Sequence, residues 1–419
     1  MQLIKSFRKF LILPVLVFYT VSYSQNINSP YSVYGIGDIE YKSYGRTSGM
    51  AGSGIGLSSP NYLINSNPAS IAGLDQSFFV FDLYGTGKIS SYSGSTITAG
   101  NNSNKDFWIK GLTMASKLNK FWAVNAGMGQ FSNVGYKFSG TRTTEGTTSQ
   151  YATIYEGDGG LNEYYLTNAF SIGKHFSVGV KASIIAGSIN QTESLYDVSS
   201  ATQVSTKQQD YFGNARYQYG ALYNTPLNKR WNLSLGARYS SKTNLSADRT
   251  VTITENDLSV VTDKFIKTNR FVLPQSFGAG IALSHDKKTT FTADYVHEDW
   301  SPLNIKGTGW QYVNSDRVSA GVEFSKLENL YGHSYEKGFY SLGAFANNSY
   351  LQVNGVPIRE FGFSAGTGGR VGGNLFYSMS AEYGIRGTTN SNLIRENYFQ
   401  LSFSFSYKDF IFSKGRKYQ

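Results

Sequence analysis

The chain of 419 residues has no cysteine, four histidines, eight prolines and only 16% charged residues. Without cysteine there is no disulfide framework, no thiol nucleophile, and no zinc or iron–sulfur site built on thiolates. The charged fraction falls short of the roughly 25% usual in soluble proteins. Beyond Val21 no stretch approaches the about 20 consecutive apolar residues that a membrane helix needs, so a helical membrane protein is excluded. A disordered chain is excluded as well, because aromatics make up 15% of the residues and disorder is poor in them. The net charge of +10 would suit a nucleic-acid partner. However, no basic run longer than two residues follows the N-terminus until Lys414–Lys417, so no nucleic acid is expected.

The first 24 residues read as a secretory signal. Lys5, Arg8 and Lys9 form the basic start, Phe10 to Val21 the apolar core, and Ser22-Tyr23-Ser24 a small-x-small cleavage site before Gln25. The rest of the chain alternates with a period of two. Near the C-terminus Phe399, Leu401, Phe403, Phe405 and Tyr407 share one face, and Gln400, Ser402, Ser404 and Ser406 share the other. Trp231–Tyr239 and Leu375–Tyr383 repeat the pattern. The opposite faces are small and polar rather than rich in Lys and Glu, and strand ends carry aromatics. Both features fit a transmembrane barrel better than a soluble sandwich.

Fourteen such segments are counted between residues 76 and 408, an even number, as bacterial barrels have. Short turns alternate with longer polar connections near 89–106, 139–161, 191–209, 245–270, 300–315 and 389–395. That parity predicts both termini in the periplasm, with 327–338 as an unusually long periplasmic connection. The expected organisation is a signal peptide at 1–24, an N-terminal plug at 25–75, an all-β, 14-stranded antiparallel barrel at 76–408 and a periplasmic tail at 409–419. The plug is expected because a lumen of this strand number is too wide for side chains alone to fill, and residues 25–75 are rich in Gly, Ser, Asn and Pro.

The block Gly45-Arg46-Thr47-Ser48-Gly49-Met50-Ala51-Gly52, followed by Asn67-Pro68-Ala69-Ser70-Ile71-Ala72-Gly73-Leu74, resembles the N-terminal hatch of FadL-type outer-membrane transporters. Gly45, Arg46, Gly49, Met50, Gly52, Asn67, Pro68 and Ala69 carry that motif. The opening Ser29-Pro30-Tyr31-Ser32-Val33-Tyr34-Gly35-Ile36-Gly37-Asp38 and the closing Glu396-Asn397-Tyr398-Phe399 look like the Bacteroidota branch of that family. The resemblance implies a hatch-plugged 14-stranded barrel in the outer membrane of a Gram-negative bacterium. It also implies a kinked third strand that opens sideways, and passage of long-chain fatty acids or other hydrophobic compounds. Other FadL-like members serve as parts of export machinery, so an accessory subunit of a secretion or assembly machine is the alternative. The expected partners are outer-membrane lipid and a hydrophobic small molecule, with outer-membrane proteins in the alternative.

No catalytic or cofactor site is expected. His297-Glu298-Asp299 lies on a strand, where neighbours point to opposite faces, and His297 is expected on the lipid side near the rim. His175, His285 and His333 are too dispersed to bind a metal. Gly49–Gly56 matches neither phosphate-binding spacing, and no Gly-x-Ser-x-Gly elbow occurs. The inward face carries Arg216, Arg238, Asp294, Glu323, Glu382 and Arg386. They read as charges paired with one another and with the plug, or alternatively as a site for a substrate carboxylate. The third strand carries Gly127, Gly129 and Gly135 near Asn125, Gln130 and Asn133. Glycine inside a strand often marks a bend or bulge, so these are the candidate kink.

Overall fold

The computed structural model describes residues 29–410 apart from 41–43, 77, 96, 98–101, 144–149, 198–201, 257–258, 268–270 and 331–332. The expected signal peptide at 1–24, and the expected C-terminal tail past Phe410, lie outside the described residues. The period-two segments form fourteen barrel strands: β1 (Phe78–Ser93), β2 (Ser103–Lys117), β3 (Trp122–Thr143), β4 (Gln150–Ile172), β5 (Phe176–Asp197), β6 (Thr202–Pro226) and β7 (Trp231–Ser240). They continue as β8 (Ser276–His285), β9 (Thr289–Glu298), β10 (Ser315–Leu330), β11 (His333–Val353), β12 (Val356–Gly372), β13 (Leu375–Arg386) and β14 (Arg395–Phe410). Each pairs antiparallel with the next, and β14 closes on β1 from Phe78↔Phe410 to Ser93↔Arg395.

The alternation sets the two faces of the wall. On β14, Phe399, Leu401, Phe405 and Tyr407 are exposed on the outside, while Ser402, Ser404 and Ser406 are buried on the inside. An apolar exterior around a polar interior suits lipid as the outer solvent, and closure leaves no unpaired edge in it.

Several connections read as polar loops are strand. The outer halves of β3, β4, β5 and β6 take up most of 139–161 and 191–209. Within 245–270, Thr243–Glu255 and Ser259–Lys267 form a hairpin, and its first strand pairs with the outer part of β6. The loop sequences are polar because these extensions stand above the apolar belt, so the lipid-facing signal was missing there. The segment 327–338 is likewise a continuation of β10 and β11, paired up to Leu330↔His333. Strand β14 runs to Phe410, two residues into the expected tail.

The described residues of 29–75 lie inside the barrel. They begin at the long-loop end with a 3-10 turn at Pro30–Val33, descend through a second at Arg46–Met50, and reach a third at Pro68–Gly73. At the long-loop end, Tyr31 and Ile36 enter an apolar cluster with Trp300, Tyr312, Tyr350 and Leu351. Ring pairs there sit close, with Trp300–Tyr350 centroids at 5.0 Å and Tyr312–Tyr350 at 4.9 Å. This aromatic cap covers the outer mouth.

Candidate functional site

The plug meets the wall through three kinds of contact. The first is backbone to small polar side chains. Ser364 Oγ donates to Gly49 O (3.0 Å) and accepts from Ala51 N (2.8 Å), and Ser378 Oγ donates to Gly45 O at 3.3 Å. The serine faces of the strands thus satisfy plug amides and carbonyls that burial would otherwise leave costly. Space for this approach comes from glycines on the wall: a Cβ on Gly343 would collide with the Met50 backbone. On the plug side Gly52 holds φ +77°, a conformation open to glycine at little cost.

The second contact is Arg46, whose guanidinium lies between the rings of Tyr62 (4.3 Å) and Phe339 (4.4 Å). It donates to Glu323 at 2.5 and 2.8 Å and to Glu336 at 2.8 and 2.9 Å. Burial pulls its pKa down, but the two glutamates outweigh that and hold it above the ordinary arginine value. It stays charged, as a planar fork between two carboxylates should.

The third contact is Asn67, fully buried. Its Oδ1 accepts from Ala69 N at 3.0 Å, capping the 3-10 turn that Pro68 opens. Its Nδ2 donates to Ile55 O (2.9 Å) in the plug and to Ala221 O (3.0 Å) in the wall. The Asn-Pro-Ala motif therefore caps one element and fastens it to another. Pro68 fits the first position of the turn because its missing N–H is not needed there.

The six inward charges turn mainly to the plug. Arg238 donates to Ser66 O at 3.1 Å. Asp294 accepts from Gly54 N (2.6 Å) and Ile55 N (2.9 Å), and Glu323 holds Arg46. Arg386 binds Asp38 through both nitrogens at 2.7 and 2.9 Å. Arg216 donates to Pro274 O (3.2 Å) on the wall, and Glu382 accepts from Tyr398 at 2.9 Å. At the outer end, burial pushes the Tyr31 hydroxyl up to about 12, so it remains a donor, to Ile394 O at 2.5 Å.

His297 is bonded through its two ring nitrogens to Asp316 (2.7 Å) and Asp299 (3.0 Å), while Glu298 accepts from Trp300. His297 and Glu298 are not brought together. Among the described residues no group of three or more His, Cys, Asp and Glu is arranged to hold a metal.

The wall changes at the third-strand glycines. The β2–β3 ladder runs from Lys117↔Ala123 only as far as Gly111↔Gly129, although both strands continue beyond it. The register on the β4 side shifts between Gln130 and Ser132, a bulge. Above it the edge of β3 is taken by the plug: Asp38 and Ile39 pair with Asn133 and Ser132, and Glu40 N donates to Phe131 O at 2.9 Å. Gly135 exchanges bonds with Ser32 Oγ at 3.1 and 3.2 Å. Lys110 joins the two sides, to Glu40 and to Gln130 (2.7 Å). Gly127 lies below the seam, Gly129 at its start and Gly135 under the plug.

Behind the seam is a cavity of about 250 Å³ reaching from Gly111, Met128 and Gly129 to the far wall. Its charged lining is mixed, with Lys110, Lys181, Arg216, Arg238 and Arg317 beside Glu40, Glu163, Asp294 and Glu298. Sequence reasoning singled out neither Lys110 nor Arg317, which donates to Ala51 O at 3.1 Å. It also missed the aromatic cap. Trp300, Trp310 and Tyr312 in a connection read as polar were its available signal.

Comparison with known proteins places this architecture. Among solved structures it is similar to the Pseudomonas putida toluene transporter TodX (15% identity, 89% of this chain and 99% of that one, TM-score 0.57). It is also similar to a Pseudomonas aeruginosa FadL homologue (13%, 88% and 99%, TM-score 0.58) and to the CymD monoaromatic hydrocarbon channel (15%, 87% and 97%, TM-score 0.55). At these identities the likeness is one of fold, that of the FadL-type outer-membrane barrels. No curated protein sequence matches the chain. The family model described as BamG matches residues 6–419, and the chain therefore belongs to the BamG family.

Proposed function

We propose that the barrel passes hydrophobic compounds of the long-chain fatty acid kind across the outer membrane and releases them sideways between β2 and β3. The observation that carries this reading is the seam: the wall stops pairing at Gly111↔Gly129, directly over the internal cavity. A hydrophobic molecule leaving through the lumen end would expose its apolar area to water at about 25 cal/mol per Å², and a side exit into lipid avoids that cost. The lining is nearly balanced in charge, and it is Arg216, Arg238 and Arg317 that favour an amphiphile with an anionic head over a bare hydrocarbon, since an arginine offers a carboxylate two parallel hydrogen bonds. TodX and CymD are described as carrying toluene and monoaromatic hydrocarbons, and their shared fold supports passage as the general role.

A second reading, an accessory barrel subunit of an outer-membrane secretion or assembly machine, is favoured by how firmly the lumen is closed. The aromatic cap outside and the Arg46–Glu323–Glu336 group inside fix both ends of the plug. A scaffold keeps such closure, whereas a conduit must undo it. Uptake of a labelled long-chain fatty acid by cells lacking the protein, measured beside their outer-membrane protein content, decides between the two. Slowed uptake with normal content supports passage. Normal uptake with an outer membrane depleted of other proteins replaces it with the subunit reading.

A further inference from the structure

On the short-turn face, five connections close within a few residues: 118–121, 173–175, 227–230, 286–288 and 373–374. The sixth hairpin does not stop at that rim. The neighbours of β10 and β11 leave them at Thr289↔Phe324 and Gly338↔Gly369, yet β10 and β11 stay paired with each other to Leu330↔His333. The last contact to the adjoining turn is Ser325 N to Lys288 O at 2.6 Å. From Lys326 onward the pair stands clear as a two-stranded ribbon with no further ladder on either side among the described residues. Short ribbons of this kind are marginal alone, and their edges are templates for another strand.

The surroundings of the β10 edge have a definite charge. Lys287, Lys288 and Lys326 are exposed beside it, with Lys337 and Arg370 on the β11 side. The nearby acids are three against five basic residues. Glu328 takes Lys337 (3.1 Å) and the Tyr335 hydroxyl (2.8 Å), Asp286 faces His285 at 3.6 Å, and Glu336 turns inward to Arg46. With Asp286 and Glu328 exposed among Lys287, Lys288 and Lys326, the balance of the edge is basic.

We propose that the β10 edge from Lys326 to Leu330 binds an extended acidic segment of a periplasmic partner by strand addition. The site is coupled to the plug, because Glu336 on the same ribbon holds both Arg46 and the Tyr62 hydroxyl (3.1 Å). A partner seated there would bear on the residue that fastens the plug from the periplasmic side. The inference goes beyond the passage reading and is independent of what the lumen carries.

The test uses the full mature chain in lipid nanodiscs. The probe is a fluorescent peptide of about six residues alternating Glu and Val, the usual length of a strand. The expected result is saturable binding that weakens with salt, falls at least about tenfold in Lys287→Glu/Lys288→Glu/Lys326→Glu, a 1.4 kcal/mol change, and is lost when alternate peptide amides are N-methylated. Heat-modifiability of the variant checks that its barrel is intact. Equal binding of the N-methylated peptide, equal binding of a Lys–Val analogue, or no binding to wild type overturns the proposal. Dimers in the nanodiscs that are abolished by the triple variant and not displaced by the peptide overturn it in favour of a second copy as the occupant.

Discussion

Strand β3 is held differently on its two sides. Toward β4 it makes 21 cross-strand pairs, from Trp122↔Phe170 to Thr143↔Gln150. Toward β2 it makes seven, from Gly111↔Gly129 to Lys117↔Ala123. Backbone facing lipid must be bonded within the protein, and the plug meets that demand where β2 does not, at Phe131, Asn133 and Gly135. The plug is thus part of the wall at the seam and a guest elsewhere. One side of β3 is fixed by a ladder along its whole length, the other above Gly129 by a segment whose own hold depends on side chains far away.

The largest expected effect comes from removing that segment. Deleting residues 25–75 should leave a folded, heat-modifiable barrel that conducts ions in planar bilayers, where wild type conducts little. Hydrogen exchange should quicken on the β2 side of β3 and stay slow on the β4 side. Equal conductance of the two proteins would mean that wall residues such as Trp300, Tyr312 and Tyr350 close the lumen without the plug.

Next in size is Arg46→Leu. It strands Glu323 and Glu336 in a buried site, and breaking a buried pair by removing one partner costs about 3–5 kcal/mol. The loss should fall on the plug and leave the ladders intact. Limited proteolysis should cut within 44–75 while the barrel band persists. A variant as protease-resistant as wild type would show that the serine contacts and Asn67 suffice.

These two experiments separate what the sequence shows from what it hides. The wall was legible because lipid outside and polar interior inside impose a period of two over each strand, and all fourteen barrel strands overlap the segments counted from it. The strand extensions above the belt were not, since Thr, Gln and Ser are frequent there and leave no apolar alternation. The partners of Arg46 and Asn67 could not be read either. Glu323 and Glu336 lie more than 270 positions away, and only barrel closure brings them under the plug. The seam was partly legible, because Gly127, Gly129 and Gly135 interrupt a strand. That the chain's own residues 38–40 cover it was not, since Asp38-Ile39 is too short a strand to leave a pattern.

A smaller effect sharpens the contrast between the plug as wall and the plug as guest. Ser48 and Ser380 place their hydroxyl oxygens 2.8 Å apart, and the chain has no other thiol to interfere. Ser48→Cys/Ser380→Cys should oxidise to a disulfide that ties the plug to β13, three strands around the wall from β2. If passage requires the whole plug to leave, oxidised protein should take up no labelled fatty acid and reduction should restore uptake. If only the 29–40 edge moves, oxidation should change little.

The smallest structural change tests the seam itself. A Cβ at Gly129 would meet only Lys110 O, at 3.5 Å, and valine suits an extended backbone. Gly129→Val should therefore fold and insert, with stability within about 1 kcal/mol of wild type, read from its denaturation midpoint. The added branches would stand at the cavity's edge, where the ladder ends, and should slow fatty acid uptake. Gly127→Val is the control for mere damage. There a Cβ would press on the Tyr165 hydroxyl at 2.5 Å and Leu112 O at 2.8 Å, so that variant should lose stability in the paired part of the wall. Slower uptake in Gly129→Val with an unchanged midpoint supports the lateral route. Wild-type uptake in Gly129→Val removes the seam from the path and leaves β3's weaker side as a place where the plug completes the wall.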